Sequence, residues 1–352
     1  MLDKTCLIRC EYSEKIGFGH LMRCLTLAGE LKKYGLAVWV LSSNGRPDMH
    51  GRHADSIDRW HVTTTKAGSM EDAAFLAGLA EEVGAELLVL DFYNISESYQ
   101  LALRHAGRRW LQFDGFADRP LWADWVLSMS PAAEMESYVL RRQNPATHFL
   151  LGPKYAILRP DFMAHRGATR SHGDVRRVLL SFGGGDDQGM TLFCLNAIRE
   201  SGWTGAITAV VGRANPSADR ISSWADCYGD GRVHVSVDEP DMAGAMSECD
   251  MAVISGGMTT FEAAFMGLPA LMVCLADNQR ANIKAWRSLG VSVDLGDSSQ
   301  LTKEDFIYHF LALVRDKNRR AELSRHGMEI VDGQGVERVA EQMLGKMAVA
   351  NA

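Results

Sequence analysis

Residues 16–28 read Ile-Gly-Phe-Gly-His-Leu-Met-Arg-Cys-Leu-Thr-Leu-Ala, and the parsing of this stretch decides the fold. Leu7 and Ile8 lie upstream of it, while Leu21, Cys24, Leu25 and Ala28 recur at helical spacing after it. The pattern is strand, glycine loop, helix. Gly17 and Gly19 allow a tight turn with positive φ and leave room for a ligand beside the main chain. His20 then falls at the helix entrance, with Arg23 one turn later on nearly the same face. A helix N-terminus favours anions and disfavours a charged imidazole, so the stretch offers a histidine poised as a base beside an anion site. A plainer parsing leaves the glycines as an ordinary turn and His20 as a capping or core residue. The third glycine of a dinucleotide fingerprint is absent, with Met22 in that region, so a Rossmann cofactor site is poorly supported.

Outward from this stretch, short apolar runs alternate with longer helical patterns. Leu7-Ile8, 37–41 and 86–91 read as strands; 21–34, 70–83 and 95–106 read as helices. Such alternation predicts a parallel sheet with helices on both faces. Residues 42–69 lack periodicity and read mostly as loop. The run Leu87-Leu88-Val89-Leu90-Asp91 is a buried strand ending in an acid, followed by Phe92, Tyr93 and Asn94. Ligands of open α/β sheets bind beyond the carboxyl ends of strands, which places Asp91 and Tyr93 as candidates; Asp91 could equally cap the following helix. Asp114 lies at another strand end, in 112–115.

A polar, charged break over 165–177 marks a domain boundary, after which the α/β alternation restarts. Strand 178–182 leads into Gly183-Gly184-Gly185-Asp186-Asp187 and a helix over 190–201, with strands over 207–211 and 232–237. Strand 250–255 leads into Gly256-Gly257-Met258-Thr259-Thr260-Phe261-Glu262. Paired glycines with a threonine cap at a helix start would present N–H groups to a phosphate, and Glu262 could accept hydrogen bonds from ribose hydroxyls, an arrangement suited to a diphosphonucleoside. The alternative is a glycine turn with Glu262 as a solvated helix residue. Gly267 ends that helix, 270–274 is a strand, and Asp277-Asn278-Gln279 opens the next helix. The expected domains are 1–168 and 169–335, both Rossmann-like. A terminal helix in 336–352 could pack back on the first.

The 352 residues exceed the size at which single cores stop growing, consistent with two domains. A net charge of −7 argues against broad nucleic-acid or anionic-membrane binding. No apolar run reaches the ~18 residues that span a bilayer, and the first residues carry no long apolar segment, so the expected location is cytoplasmic. The seven cysteines are scattered without Cys-x-x-Cys spacing, which fits a reducing compartment and argues against a zinc site.

Several stretches together resemble the PseG family, also grouped with SpsG-like proteins. These nucleotide-sugar hydrolases release UDP from UDP-2,4-diacetamido-2,4,6-trideoxy-β-L-altropyranose on the route to pseudaminic acid. The matching stretches are Ile16-Gly17-Phe18-Gly19-His20 with Arg23, Leu90-Asp91-Phe92-Tyr93 with Ile95-Ser96, Phe113-Asp114, Tyr155-Ala156-Ile157-Leu158-Arg159, Gly183-Gly184-Gly185-Asp186, Ser255-Gly256-Gly257 with Glu262, and Asn278-Gln279. The resemblance implies a GT-B fold of two doubly wound domains with the substrate in the interdomain cleft. It implies His20 as the catalytic histidine, Asp91 and Tyr93 on the sugar side, and Gly256 to Glu262 as the nucleotide site. Gly17, Gly19, Arg23, Asp114, Tyr155, Gly184, Gly257, Thr259, Asn278 and Gln279 complete the expected substrate contacts. The implied partners are a UDP-sugar substrate and UDP product, with no cofactor, nucleic acid or membrane and a monomeric chain. The family commonly has Asp-His-Tyr where this chain has Asp91-Phe92-Tyr93, and Phe-Asp-Asp where it has Phe113-Asp114-Gly115. Both departures are expected on the sugar side, where they bear on which sugar is used.

No Asp-x-Asp pair occurs, so a diphosphate-bridging metal has no evident ligands. Two other functions compete with hydrolysis: a GT-B glycosyltransferase that moves the sugar to an acceptor, and a nucleotide-sugar-binding module without turnover. The N-terminal half shows no clear membrane-docking patch of the kind lipid-linked transferases use.

Overall fold

The computed structural model describes residues 4–13, 18–47, 55–167 and 173–345. The chain forms two compact units, the first running to Arg159 and resuming at Gly333, the second spanning Pro160–Asp332.

The first unit is built on a seven-stranded parallel sheet. Its strands are β1 (Thr5–Cys10), β2 (Ala37–Ser42), β3 (Arg59–Val62), β4 (Ala85–Asp91), β5 (Trp110–Phe113), β6 (Trp125–Ser128) and β7 (His148–Leu151), in spatial order β3-β2-β1-β4-β5-β6-β7. All six residues of β1 are buried, as a central strand covered on both faces requires. The register sets Ile8 against Val40 and Val89, and Cys10 against Asp91. Helices α1 (Gly19–Lys33), α2 (Met70–Glu82), α3 (Glu97–His105) and α4 (Met135–Arg141) connect the strands. One core cluster gathers Leu7, Leu76, Leu88, Leu90, Tyr99, Trp110 and Val126.

The second unit repeats the plan with β8 (Arg177–Ser181), β9 (Ala206–Val211), β10 (Val233–Val237), β11 (Met251–Ser255), β12 (Ala270–Cys274) and β13 (Ser292–Asp297), ordered β10-β9-β8-β11-β12-β13. Its helices are α5 (Met190–Glu200), α6 (Ala218–Tyr228), α7 (Met242–Ser247), α8 (Thr259–Met266), α9 (Asp277–Ser288), α10 (Lys303–Arg315) and α11 (Lys317–Ile330). The last helix, α12 (Gly335–Leu344), lies against α1 and the 3-10 turn Pro153–Tyr155 of the first unit. Gly335 permits this approach, because a Cβ there would meet the Ala156 carbonyl oxygen at 2.3 Å.

In both sheets the strand order reverses beside the first strand, between β1 and β4 and again between β8 and β11. Chains of this topology open a crevice at that reversal, outside the carboxyl ends of the strands.

Three local expectations need correction. Within 42–69, Arg59–Val62 forms β3, an edge strand with no fully buried residue, so no apolar alternation marks it. It is anchored by His61 stacked on Trp39, with Arg59 over the same indole. Gly19 is the first residue of α1 and is not among the positive-φ glycines, since helical dihedrals already begin there. The division between units falls at 159/160, earlier than the polar break suggests. Arg166 donates to the carbonyls of Asp332 and Met328 at 2.6 and 3.1 Å, tying this segment to the second unit.

Candidate active site

The β1–β4 reversal of the first unit gathers titratable side chains. His20 enters in the first turn of α1, whose N-terminus has no side-chain cap and no acidic residue. Asp91 closes β4 and is 1% exposed. The Cys10–Asp91 register turns the Asp91 carboxylate toward α1, where Cys24 also reaches it at 3.5 Å. There His20 Nδ1 lies 2.6 Å from Oδ1, Arg23 Nε donates to Oδ2 at 2.5 Å, and Arg23 Nη2 donates to Oδ1.

This geometry fixes the histidine tautomer. Burial alone would raise the Asp91 pKa, but the Arg23 guanidinium and His20 outweigh it and hold the carboxyl at about 2. An ionised carboxylate only accepts, so in the neutral ring the proton must sit on Nδ1. The Nε2 lone pair is then the basic one. Arg23 Nη2, 3.0 Å from Nδ1, is therefore a neighbour of that nitrogen and not a donor to it. Burial disfavours the charged guanidinium of Arg23, yet Asp91 raises its pKa overall, so it stays cationic. Burial pushes the Cys24 thiol well above its ordinary value, leaving it a neutral packing neighbour.

Around the pair stand aromatic rings. Tyr93, 48% exposed, sits edge-on to His20 with ring centroids 5.0 Å apart, and Arg23 lies over Phe113 at 4.5 Å. Phe92 points the other way, into the core against Tyr99 and under Arg9. The Phe92 departure from the family motif is thus a core substitution, not a sugar-side one.

The structure brings together His20, Arg23, Asp91 and Tyr93, and it changes the expected part of Asp91. Ser96 caps α3, accepting from the Tyr99 amide at 3.2 Å, so Asp91 is not its cap. Both Asp91 oxygens are engaged by His20 and Arg23, so it is oriented toward the imidazole instead of outward toward a sugar. Asp114 Oδ1 accepts from the amides of Phe116 and Ala117 at 3.0 and 2.8 Å, which closes the turn after β5. Tyr155 lies in the 3-10 turn under α12, with the Lys154 ammonium 5.1 Å from its ring centre. Gly17 lies outside the described residues.

At the β8–β11 reversal of the second unit, backbone takes the place of side chains. Gly183 has φ of 100° and Gly184 is exposed. Gly212, after β9, abuts the Gly184 backbone so closely that a Cβ would sit 2.1 Å from its carbonyl oxygen. After β11, the cap position of α8 is Met258, with no side-chain capping bond. Thr259, expected as the cap, is the first helical residue. Thr260 instead donates to the Gly257 carbonyl at 2.8 Å. Among the described residues the amides of Gly257, Met258 and Thr259 carry no hydrogen bond, so three N–H groups stand at the positive end of α8.

Gly256 is needed for packing, since a Cβ would lie 2.8 Å from Ile283 and 2.9 Å from Gln279. Gly257 keeps its approach open, with the nearest atom 3.9 Å from that position. Glu262 is buried one turn into α8. Gln279, expected at the ligand, accepts through Oε1 from the amides of Gly256 and Leu275 at 3.2 and 3.1 Å and so joins the ends of β11 and β12. Its neighbour Asn278 is exposed at the start of α9. Asp187, not singled out from sequence, braces the start of α5 by accepting from Gly189 and Thr191 amides at 2.9 and 3.0 Å. Its signal is an acidic residue just before a helix. Among the described residues no group of three or more His, Cys, Asp or Glu side chains is placed to hold a metal ion.

Two Rossmann-like units with crevice-forming reversals define a GT-B-type α/β protein. The fold is shared with MurG of Acinetobacter baumannii, at a TM-score of 0.69 and 15% identity, over 97% of this chain and 99% of that one. In sequence, the chain is 24% identical over 331 residues to the spore coat polysaccharide biosynthesis protein SpsG of Bacillus subtilis, spanning 92% of this chain and 93% of that protein. It is 23% identical over 290 residues to the UDP-2,4-diacetamido-2,4,6-trideoxy-beta-L-altropyranose hydrolase of Campylobacter jejuni, spanning 82% of this chain and 98% of that enzyme. The chain is thus a homologue of SpsG and of that hydrolase over most of its length. No family model matches it.

Proposed function

We propose that the protein is a UDP-sugar-using enzyme, and specifically that it hydrolyses a UDP-linked 2,4-diacetamido-2,4,6-trideoxyhexose to free sugar and UDP. The observation that carries this reading is the His20–Asp91 pair, which leaves Nε2 as a fixed base. The substrate class is supported by the relationship to the Campylobacter hydrolase, whose name specifies such a sugar nucleotide.

His20 Nε2 takes a proton from water as the water oxygen forms a bond to the anomeric carbon. The bond from that carbon to the UDP oxygen breaks with inversion, and UDP leaves with the electron pair. UDP is a stable anion, so its departure calls for electrostatic cover more than a proton donor. A diphosphate is the kind of anion that the three free amides at the start of α8 are suited to hold. Asp91 acts through His20 as a positioning residue, and Arg23 keeps Asp91 ionised.

The test is incubation with the UDP-sugar and no acceptor, in ¹⁸O-water. Stoichiometric free sugar carrying the label supports hydrolysis at carbon. Label in the UDP phosphate means P–O cleavage and overturns the proposed step. Turnover only when an acceptor is added makes the protein a transferase, and tight UDP binding without any turnover makes it a binding module.

A further inference from the structure

Beyond the residues already assigned, one more carboxylate stands at the β1–β4 reversal. Glu11 follows β1 directly, and its amide donates to the Asp91 carbonyl at 3.4 Å. The two acids thus leave neighbouring strand ends. Asp91 serves the α1 side, whereas the Glu11 side chain leans the opposite way, toward the end of β2. There Ser43 donates to Glu11 Oε1 from its amide at 3.0 Å and its hydroxyl at 2.7 Å, and Arg9 Nη1 donates to the same oxygen.

The supporting framework is unusually fixed. Arg9 is wholly buried and grips buried Asp72 through Nε at 3.0 and 3.3 Å. Asp72 in turn accepts from Thr65 at 2.8 Å and from the Tyr99 hydroxyl at 3.0 Å. The flanking segment is laced as well, by Asn44 donating to the Tyr12 carbonyl at 2.6 Å and by the Tyr12 hydroxyl donating to the Gly45 carbonyl.

A carboxylate present only to neutralise Arg9 would favour the two-armed fork that guanidinium and carboxylate form together. Here Arg9 Nη2 is buried with no partner, while three donors converge on one Glu11 oxygen. Glu11 Oε2 carries no hydrogen bond among the described residues, and 12% of the side chain still reaches solvent. The group is thereby held with one acceptor turned away from its own support, at the strand ends where ligands of this topology lie.

We propose that Glu11 is a specificity-determining residue at the β2 side of the β1–β4 reversal, accepting through Oε2 a hydroxyl or amide N–H of the sugar. An ionised carboxylate offers only acceptors, so the group it reads must be a donor, which the sugar carries and an acyl methyl or ring oxygen does not. This inference rests on the UDP-sugar reading above.

The test compares wild type, Glu11→Gln and Ser43→Ala in the full-length protein. The measurements are sugar release from a UDP-linked 2,4-diacetamido-2,4,6-trideoxyhexose, competitive inhibition by UDP, and calorimetric binding of both. Glu11→Gln is expected to raise KM about 10–100-fold, with kcat changed far less and UDP inhibition unchanged. Ser43→Ala, which keeps the carboxylate but removes one support, is expected to raise KM about 2–10-fold and carries the test if the glutamine variant does not fold. Unchanged KM in folded Glu11→Gln overturns the proposal, as does an equal loss of UDP affinity, which marks general damage. Should wild type bind the UDP-sugar without turnover, hydrolysis falls while sugar-nucleotide affinity across the variants still decides Glu11. Should it bind none, both fall.

Discussion

At the reversal between β1 and β4 the chain gathers charged side chains onto one carboxylate; at the reversal between β8 and β11 it clears side chains away and leaves bare amides. The strand orders are the same. The difference lies in the residues around the helix starts, neither of which has a side-chain cap: a histidine and an arginine one helical turn apart in the first unit, paired glycines ahead of the helix in the second. A proton acceptor must be held to a fraction of an ångström and kept in one tautomer, which calls for ion pairs. A diphosphate spreads its charge over many oxygens and is met well by N–H groups at a helix start. On the function proposed above, one topology would carry a base in one unit and an anion cradle in the other.

If that division holds, substitutions in the two units separate kcat from UDP affinity. The largest effect is expected from His20→Ala or His20→Asn, which should lower kcat by ~10²–10⁴ while UDP still binds. A His20→Asn protein with near-full turnover removes His20 from the base role. Asp91→Asn should cost a similar factor for a different reason. The amide would donate to Nδ1, moving the ring proton to Nε2 and abolishing the lone pair there. The ¹⁵N chemical shifts of the His20 ring nitrogens distinguish the two tautomers directly.

A change in the second unit should show the opposite pattern. Gly256→Ala places a methyl against Ile283 and Gln279, so the loop before α8 must shift. The expected cost is about 1–3 kcal/mol of stability, with UDP affinity falling in calorimetry and kcat at saturating substrate falling much less. Gly256→Ala with unchanged UDP affinity would break the comparison on that side. Addition of EDTA should leave activity intact, in keeping with the lack of an Asp-x-Asp pair.

The two regions also differ in how much of them the sequence makes legible. His20, Arg23 and Asp91 are legible because helical spacing and a strand-terminal acid are local patterns. Where Asp91 points is not, since its direction depends on the register of Cys10 against Asp91, a contact between distant segments. Phe92 is misplaced on the sugar side for the same reason, as alternation along the chain end sends it to the core. In the second unit the glycines are legible but their tasks are not. Gln279 acts on Gly256 across 23 residues, and the choice of Met258 over Thr259 as cap comes from Thr260 bonding back to Gly257. Glu11 escapes a sequence reading altogether, because nothing near it in the chain reveals Ser43, 32 residues away. The edge strand β3 escapes because none of its four residues is buried, so neither face demands an apolar pattern.

The smallest effect concerns acid stability, and it tests the ion cluster without any substrate. Asp91 has its pKa lowered from the ordinary 3.8 to about 2, burial opposing and Arg23 with His20 prevailing. A carboxyl that ionises more readily in the folded chain adds stability wherever it is ionised in both states, that is, above its ordinary value. That stability declines as pH falls from about 4 toward about 2 and is gone below the folded value. The shift corresponds to ~2 kcal/mol, or roughly 4–8 °C in the melting of a unit of this size. Wild type should therefore lose more melting temperature than Asp91→Asn between pH 5 and 2, on the order of that difference, because the amide has no proton to gain. Parallel melting curves for the two proteins over this range would mean that Asp91 does not carry the charge that holds Arg23 and His20 together. The base in the first unit would then lack the anchor that sets it apart from the second.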